Sequence, residues 1–318
     1  MGRYVLRRIA QMVPVALLVV VLNFVLITLA PGDPALVLAG VEAPQSYVDE
    51  LRHNYGLDQP VPARLAAYLG RLVQGDLGYS FAYRRPVADL LVERTRTTLL
   101  LVLASQVLSI IAGTWLGAVA AWRHRRALDR VISYGSLLLY CMPVFWTGLL
   151  MIMLFSVELK WLPSAGMVSF AAWKIPRWLD VARHLVLPSA TLFLYTLPVY
   201  VRITRASVLE VAREDYITTA RAVGYPERVV YLRHALRNAL LPTVTVAGMS
   251  LSSLLTGALL VETVFAWPGL GQLMFEAVRG RDFPVLMGGF IFATLLVLAG
   301  NLITDLIYAR LDPRVTYG

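Results

Sequence analysis

Ile9-Ala10-Gln11-Met12-Val13-Pro14-Val15-Ala16-Leu17-Leu18-Val19-Val20-Val21-Leu22-Asn23-Phe24-Val25-Leu26-Ile27-Thr28-Leu29-Ala30 carries no charged side chain. An α-helix rises about 1.5 Å per residue and a bilayer's hydrocarbon core is about 30 Å thick, so about 20 such residues make one crossing. The stretch is apolar on every side of a helix, which suits lipid better than a water-facing surface. Arg3, Arg7 and Arg8 precede it and Pro31 follows. A basic start also opens a signal peptide, but a signal core runs only about 7–15 residues. The stretch therefore reads as a retained first span.

The rest of the chain agrees with that reading. Of the 318 residues, 58% are hydrophobic and 15% charged, against about 45–50% and about 25% in a soluble domain. Too little charge remains to coat a water-facing surface. Five further segments are predicted to cross: Thr97–Trp122, Val131–Val157, Leu185–Val201, Ala239–Val261 and Pro284–Tyr308. The fourth is short and is expected to break at Pro188 and Pro198. The fold class is thus an all-α integral membrane protein of six transmembrane helices in one domain spanning residues 1–318. Its net charge of +9 comes almost wholly from arginine. Those arginines flank apolar runs and form no isolated basic stretch, which points to a lipid bilayer and away from nucleic acid.

Positive charge in short loops orients such a bundle. With the N-terminus inside, sixteen Lys and Arg fall in inner tails and loops and six in the short outer loops. Both termini are therefore expected on the cytoplasmic side.

Two connections are too long to be mere joins. The outer segment, 31–96, holds the turn cluster Pro31-Gly32-Asp33-Pro34. A short helix from Ser46 to Tyr55 stopped by Gly56 is predicted next, then a helical stretch from Pro62 to Val73 with Leu65, Leu69 and Leu72 on one face. It could form a vestibule for an external partner or a lid over helix ends. The inner segment, 206–238, sets Val208, Val211, Ile217 and Ala220 among Glu210, Arg213, Glu214, Asp215 and Arg221. That pattern predicts one amphipathic helix, ended by Gly224, then a second opened by Pro226 and running to about Arg237. A helical knob of this kind fits a groove on a cytosolic partner.

Several motifs carry a family likeness. They are Tyr4-Val5-Leu6-Arg7-Arg8, Pro31-Gly32-Asp33-Pro34, Gly75-Asp76-Leu77-Gly78-Tyr79-Ser80 and Asp215-Tyr216-Ile217-Thr218-Thr219-Ala220-Arg221-Ala222-Val223-Gly224. Leu232-Arg233-His234-Ala235-Leu236-Arg237-Asn238-Ala239-Leu240-Leu241-Pro242, Val264-Phe265-Ala266-Trp267-Pro268-Gly269-Leu270-Gly271 and Leu311-Asp312-Pro313-Arg314 follow. In this order, with this span count, the chain resembles ABC importer permeases of the dipeptide/oligopeptide/nickel family. The long outer segment resembles the type of subunit usually given first of that family's two permeases. The resemblance implies a type I importer bundle in a bacterial inner membrane. Its implied partners are a second homologous permease subunit, two cytosolic ABC ATPase subunits and an external solute-binding protein. It implies that a coupling helix, about Tyr216 to Arg233, seats on an ATPase. The matching residues are Asp215, Tyr216, Thr219, Ala220, Arg221, Gly224, Pro226 and Arg233. The broader importer pattern has Glu and Ala where Thr218 and Thr219 stand, and Pro where Arg237 stands, which bears on the ATPase contacts.

Other candidates are weaker. Gln106, Asn301 and Asp305 are polar residues within spans, and Pro143 is expected to kink the third; these are the candidate pathway or gate residues. Asp305 is the only acid within the predicted spans, and pairing with Arg310 competes with a gating role. Cys141 with Met142, Met151 and Met153 more simply fills apolar space than binds metal. No Gly-Lys pair occurs, so the chain lacks a P-loop. It is expected to be no enzyme, to bind no cofactor and to depend on ATP hydrolysis in partner subunits. Short peptides are the first cargo implied by the resemblance, with nickel or a metal chelate second. A self-sufficient gradient-driven carrier is the reading from another class.

Overall fold

The computed structural model describes residues 2–29, 34–40, 43–54, 56–169 and 175–311. The described residues form no strand; one isolated bridge joins Tyr79 and Pro86. Helix α1 spans Gly2–Leu29, followed by the short α2 (Pro34–Ala39), α3 (Gln45–Asn54) and α4 (Val61–Val73). Next come α5 (Val87–Trp122), α6 (Ala127–Cys141), α7 (Val144–Met151, continued by a π-helical stretch Ile152–Glu158) and α8 (Arg177–Val211). Beyond it lie α9 (Asp215–Ala222), α10 (Glu227–Val229), a π-helical stretch Val230–Ala235 and α11 (Leu236–Ala239). The chain then forms α12 (Leu241–Gly257), α13 (Leu259–Val264), α14 (Leu270–Gly280) and α15 (Phe283–Leu311).

Helices α1, α5, α8 and α15 each contain a stretch long and apolar enough to cross a membrane. Helix α6 and the α7 stretch, bent by 99°, make a fifth if counted as one crossing. The predicted fifth span is divided at Ala258 between α12 and α13, neither of which has a full crossing's length. Four or five crossings therefore follow from length and composition, where six were expected.

Helices α5 and α8 form the central seam. Gly113 and Gly117 on α5 let the backbones approach. A Cβ on Gly117 would lie 2.6 Å from the Val201 carbonyl oxygen, and one on Gly113 would lie 2.5 Å from Tyr200 Cβ. Small residues one turn apart serve this purpose where lipid offers no hydrophobic drive for association. Hydroxyls complete the seam. Ser109 and Thr196 share a 2.6 Å hydrogen bond, Ser109 Oγ also donates to the Phe193 carbonyl at 3.3 Å, and Thr204 meets Thr243 of α12 at 3.0 Å.

Three expectations need correcting. Helix α8 is continuous over Arg177–Val211 with Pro188 and Pro198 inside it. The helix packs along α5, and neither proline ends it. At Pro143 the chain turns through nearly a right angle, more than a kink. Helix α5 starts at Val87, so residues 87–96 of the outer segment are already helical. At 36 residues, about 54 Å, α5 outruns the hydrocarbon core. Finally, the predicted amphipathic helix is two helices, since α8 stops at Val211 and α9 starts at Asp215.

The outer segment packs down on the bundle. Tyr68 of α4 is buried and stacks on Phe24 of α1, ring centroids 6.0 Å apart. Leu65, Leu69 and Leu72 join Val20, Met287 and Ile291 around that pair. Predicted and observed helices agree closely here, and Gly56 after α3 has φ +63°, the left-handed conformation of a helix stop. Pro31, Gly32 and Asp33 lie outside the described residues.

Candidate functional site

Val208, near the end of α8, packs with Ala121 of α5 and Ala239 of α11. The chain then reverses through Ala212–Glu214, a turn closed by the Ala212 N–H donating to Val208 at 3.0 Å and the Arg213 N–H to Glu210 at 3.0 Å. Arg213, Glu214 and Asp215 are three consecutive exposed charges, and Asp215 in the first turn of α9 suits that helix's positive end. After the turn, Ile217 and Ala220 face inward onto Val230, Ala235 and Val211. This small core explains why a periodicity read as one helix is shared by two.

The knob is stapled by polar contacts. Arg221 Nε donates to Glu227 Oε1 at 2.9 Å, joining α9 to α10. Asn238 donates to the Tyr216 hydroxyl at 2.8 Å, and the Thr219 hydroxyl donates to the Asp215 carbonyl at 3.0 Å. Gly224 sits at φ +94° with its N–H donating to the Arg221 carbonyl at 3.0 Å. Pro226 directly precedes α10. The Tyr231 hydroxyl donates to the Ala118 carbonyl, and its ring meets Trp122 edge-on at 4.5 Å. The knob is thereby fastened to α5 as well as to α8.

Its outer face sets large exposed apolar side chains among exposed charges. Val223 is 70% exposed, Tyr225 50% and Leu232 50%; Tyr216 and Arg233 are exposed too. Large exposed apolar side chains on one motif can contribute to a binding surface. Between the end of α8 and the start of α9 lies an open concavity of about 490 Å³, lined by Ala206, Leu209, Glu210, Arg213, Glu214 and Asp215.

An ion pair braces this end of the bundle. Arg205 of α8 donates from Nε to Asp129 Oδ1 at 2.6 Å and from an Nη to Oδ2 at 2.9 Å. Asp129 sits in the first turn of α6, before the apolar run from Val131, and also accepts from the Arg125 N–H at 2.9 Å and the Ser133 hydroxyl at 3.2 Å. The hydrogen bonds from Arg205 hold its carboxyl well below the usual carboxylate range, although burial opposes them.

The candidate pathway residues are not gathered in one place. Gln106 is buried in the α5–α8 seam, donates to the Tyr200 hydroxyl, and has an Oε1 without a protein partner. Pro143 is the corner between α6 and α7. Asn301 is exposed on α15, while the Asp305 side chain lies outside the described residues.

Closing the fifth span at Val261 missed Glu262, which is fully buried on α13. It accepts from the Thr98 hydroxyl at 2.6 Å and the Gln272 N–H at 3.0 Å, while the Thr98 oxygen accepts from the Leu270 N–H at 2.7 Å. Trp267 Nε1 donates to the Thr97 carbonyl at 3.0 Å. The motif from Val264 to Gly271 is therefore a turn wrapped on a buried carboxylate and tied to α5. An acid two residues before that motif was the legible signal. Among the described residues, no three His, Cys, Asp or Glu gather as a metal site.

Comparison with known proteins agrees with this architecture. Residues 113–317 match the family described as "Binding-protein-dependent transport system inner membrane component", and residues 1–102 match its N-terminal membrane-component family. The chain is 40% identical over 318 residues to the glutathione transport system permease protein GsiC of Escherichia coli (strain K12), covering all of both chains. It is 37% identical over 319 residues to the oligopeptide transport system permease protein AppB of Bacillus subtilis (strain 168), again covering all of both. Among solved structures, the inward-facing MetNI methionine ABC transporter shares the fold, with TM-score 0.58 and 20% identity over 70% of this chain and 96% of that one. The chain belongs to the binding-protein-dependent transport system inner membrane components, multi-pass permeases of ABC importers that work with separate ATPase and binding-protein partners.

Proposed function

We propose that this chain is one of two permease subunits of a peptide importer, with six crossings, both termini cytoplasmic and the segment from Asp215 to Arg233 seated on an ATPase subunit. The observation that carries the coupling role is the exposed set Tyr216, Val223, Tyr225 and Leu232 on a knob otherwise fastened from within. A partner with a matching groove would cover that surface, and the fastening to α5 and α8 would pass its movement into the bundle. ATP can drive such a cycle only if the ATPases bind one state of the permease more tightly than the other.

Peptide cargo is supported by the relatives named for oligopeptide and glutathione transport, glutathione being itself a short peptide. A second, homologous permease is the proposed partner within the membrane. The test is reconstitution. Proteoliposomes holding the chain, its second permease, the ATPases and the binding protein should accumulate labelled peptide on ATP addition, while the purified chain alone hydrolyses no ATP. Gradient-driven flux through the chain alone would replace this reading with a self-sufficient carrier.

A further inference from the structure

The connection between α5 and α6 reads Arg123-His124-Arg125-Arg126, and Arg130 follows one turn into α6. Helix α5 ends here and the bent α6–α7 stretch begins, both apolar enough for a crossing, so this corner lies at a membrane surface. All four arginines are exposed. The one carboxylate among them, Asp129, is 3% exposed and turned inward. Its oxygens accept from Arg205, from the Ser133 hydroxyl and from the Arg125 backbone N–H, which fixes the turn with Arg125 at φ +64°. Among the described residues none of the four guanidinium groups forms an ion pair or a hydrogen bond. The nearest acid is thus engaged within the bundle, and four cations are left on the outside.

The exposed face of α6 changes character away from that corner. Arg130 follows Arg126 by four residues, Tyr134 follows Arg130 by four and Leu137 follows Tyr134 by three, spacings that keep them on one side of a helix. Val131 and Leu138 flank this row, and each of them, like Tyr134, is about two-thirds exposed. The row therefore runs from cations through an aromatic ring with a polar tip to aliphatic side chains. A phospholipid has the same order, a charged headgroup, an interfacial zone and an acyl chain. The aliphatic part continues into a membrane-crossing stretch, where lipid reaches it and a cytosolic protein does not.

We propose that Arg126 and Arg130, supported by Arg123 and Arg125, bind the headgroup of an anionic phospholipid whose acyl chain lies along Val131, Tyr134 and Leu138. Guanidinium groups bind phosphate oxygens through paired, charge-assisted hydrogen bonds, and a cluster of four or more basic residues beside a membrane helix attracts anionic lipid. A zwitterionic lipid carries the same phosphate, but its own cationic group offsets the charge. The site should therefore discriminate by net headgroup charge. Bound lipid would anchor the corner that the Asp129–Arg205 pair ties to α8. The inference rests on the membrane-permease assignment and is independent of the cargo.

The experiment measures, by native mass spectrometry of the assembled importer, retention of added dioleoylphosphatidylglycerol against dioleoylphosphatidylcholine. Wild type should prefer the anionic lipid, and Arg126→Gln combined with Arg130→Gln should reduce that preference about tenfold. Should the double variant fail to assemble, the single changes Arg126→Gln and Arg130→Gln should each reduce it about threefold. Removing two exposed charges elsewhere, by Arg84→Gln with Arg279→Gln, should leave the preference within about twofold of wild type, which separates a site from overall charge. No preference in wild type, or an unchanged one in the Arg126 and Arg130 variants, overturns the proposal. An equal loss in the control pair overturns it as well, since attraction would then follow net charge alone. If the glutamine pair keeps the lipid preference but releases another subunit from the complex, the face is a protein contact and the lipid site is wrong.

Discussion

Glycine is used for opposite reasons beside the C-terminal part of α8 and beyond its end. Gly117 of α5 lies against it because nothing larger fits, the Val201 carbonyl being where a Cβ would go. Gly224, past its end, has no atom within 4 Å of an added Cβ, yet its φ of +94° excludes most other residues. The first is a constraint of space and the second one of backbone conformation. The difference separates the two regions: the α5–α8 seam is a strut fixed by contact, and the knob is a shape fixed by turns, with its surface left open. Strain at the seam should unfold the chain, and changes on the knob should leave it folded and affect only what docks there.

The largest effect belongs to the seam. Gly117→Leu should destabilise the chain by about 3 kcal/mol or more, since overpacking a rigid contact leaves the backbone to move. Thermal unfolding of the purified chain measures it, and a wild-type midpoint would show that the seam is looser than described. Next comes the brace beside it. Asp129→Ala should cost about 2 kcal/mol, the usual worth of a hydrogen-bonded charge. The carboxyl's folded pKa is depressed, so its contribution is present above the ordinary carboxylate value and is lost as pH falls through the lower folded one. Thermal midpoints measured from roughly pH 5 to 8 should therefore show no titration of this pair.

The knob should yield smaller energies with larger consequences. Gly224→Val should cost about 1–2 kcal/mol, the penalty of left-handed backbone for a residue with a Cβ. It should abolish uptake while the amount of chain in the membrane stays normal. Gly224→Asn should preserve uptake, because asparagine visits that conformation. Equal loss in both variants would mean that space, not φ, governs the site. The smallest effect on stability is expected of Val223→Ser, within about 0.5 kcal/mol of wild type, as is usual at exposed sites. Its effect should appear instead as weaker co-purification of the ATPase.

Much of this was legible in the residues. Apolar blocks and flanking arginines gave a membrane bundle, and Gly56, Gly224 and Pro226 marked ends that the structure places beside them. Proline misled in two directions. Pro188 and Pro198 read as breaks but ride inside α8, which packs along a neighbouring helix there. Pro143 read as a kink but turns the chain by 99°. Local propensity cannot distinguish these outcomes, which depend on what packs alongside. The split between α8 and α9 was hidden for a similar reason, since a fold-back can bury the same apolar residues that one face would. Glu262 escaped notice because it sat at the assumed edge of a span, where charge looks ordinary. Only the observed helices reveal it fully buried.

The central claim, that the knob is where the ATPase docks, has a direct test. Cys141 is the sole cysteine, so a Cys141→Ser background allows one thiol-directed photocrosslinker to be placed at Val223→Cys, or as a control at Val131→Cys. In the assembled, transporting complex, illumination should join the Val223→Cys chain to the ATPase subunit and the Val131→Cys chain to none. A complex that imports peptide but gives no ATPase adduct from the labelled Val223→Cys position would contradict the account.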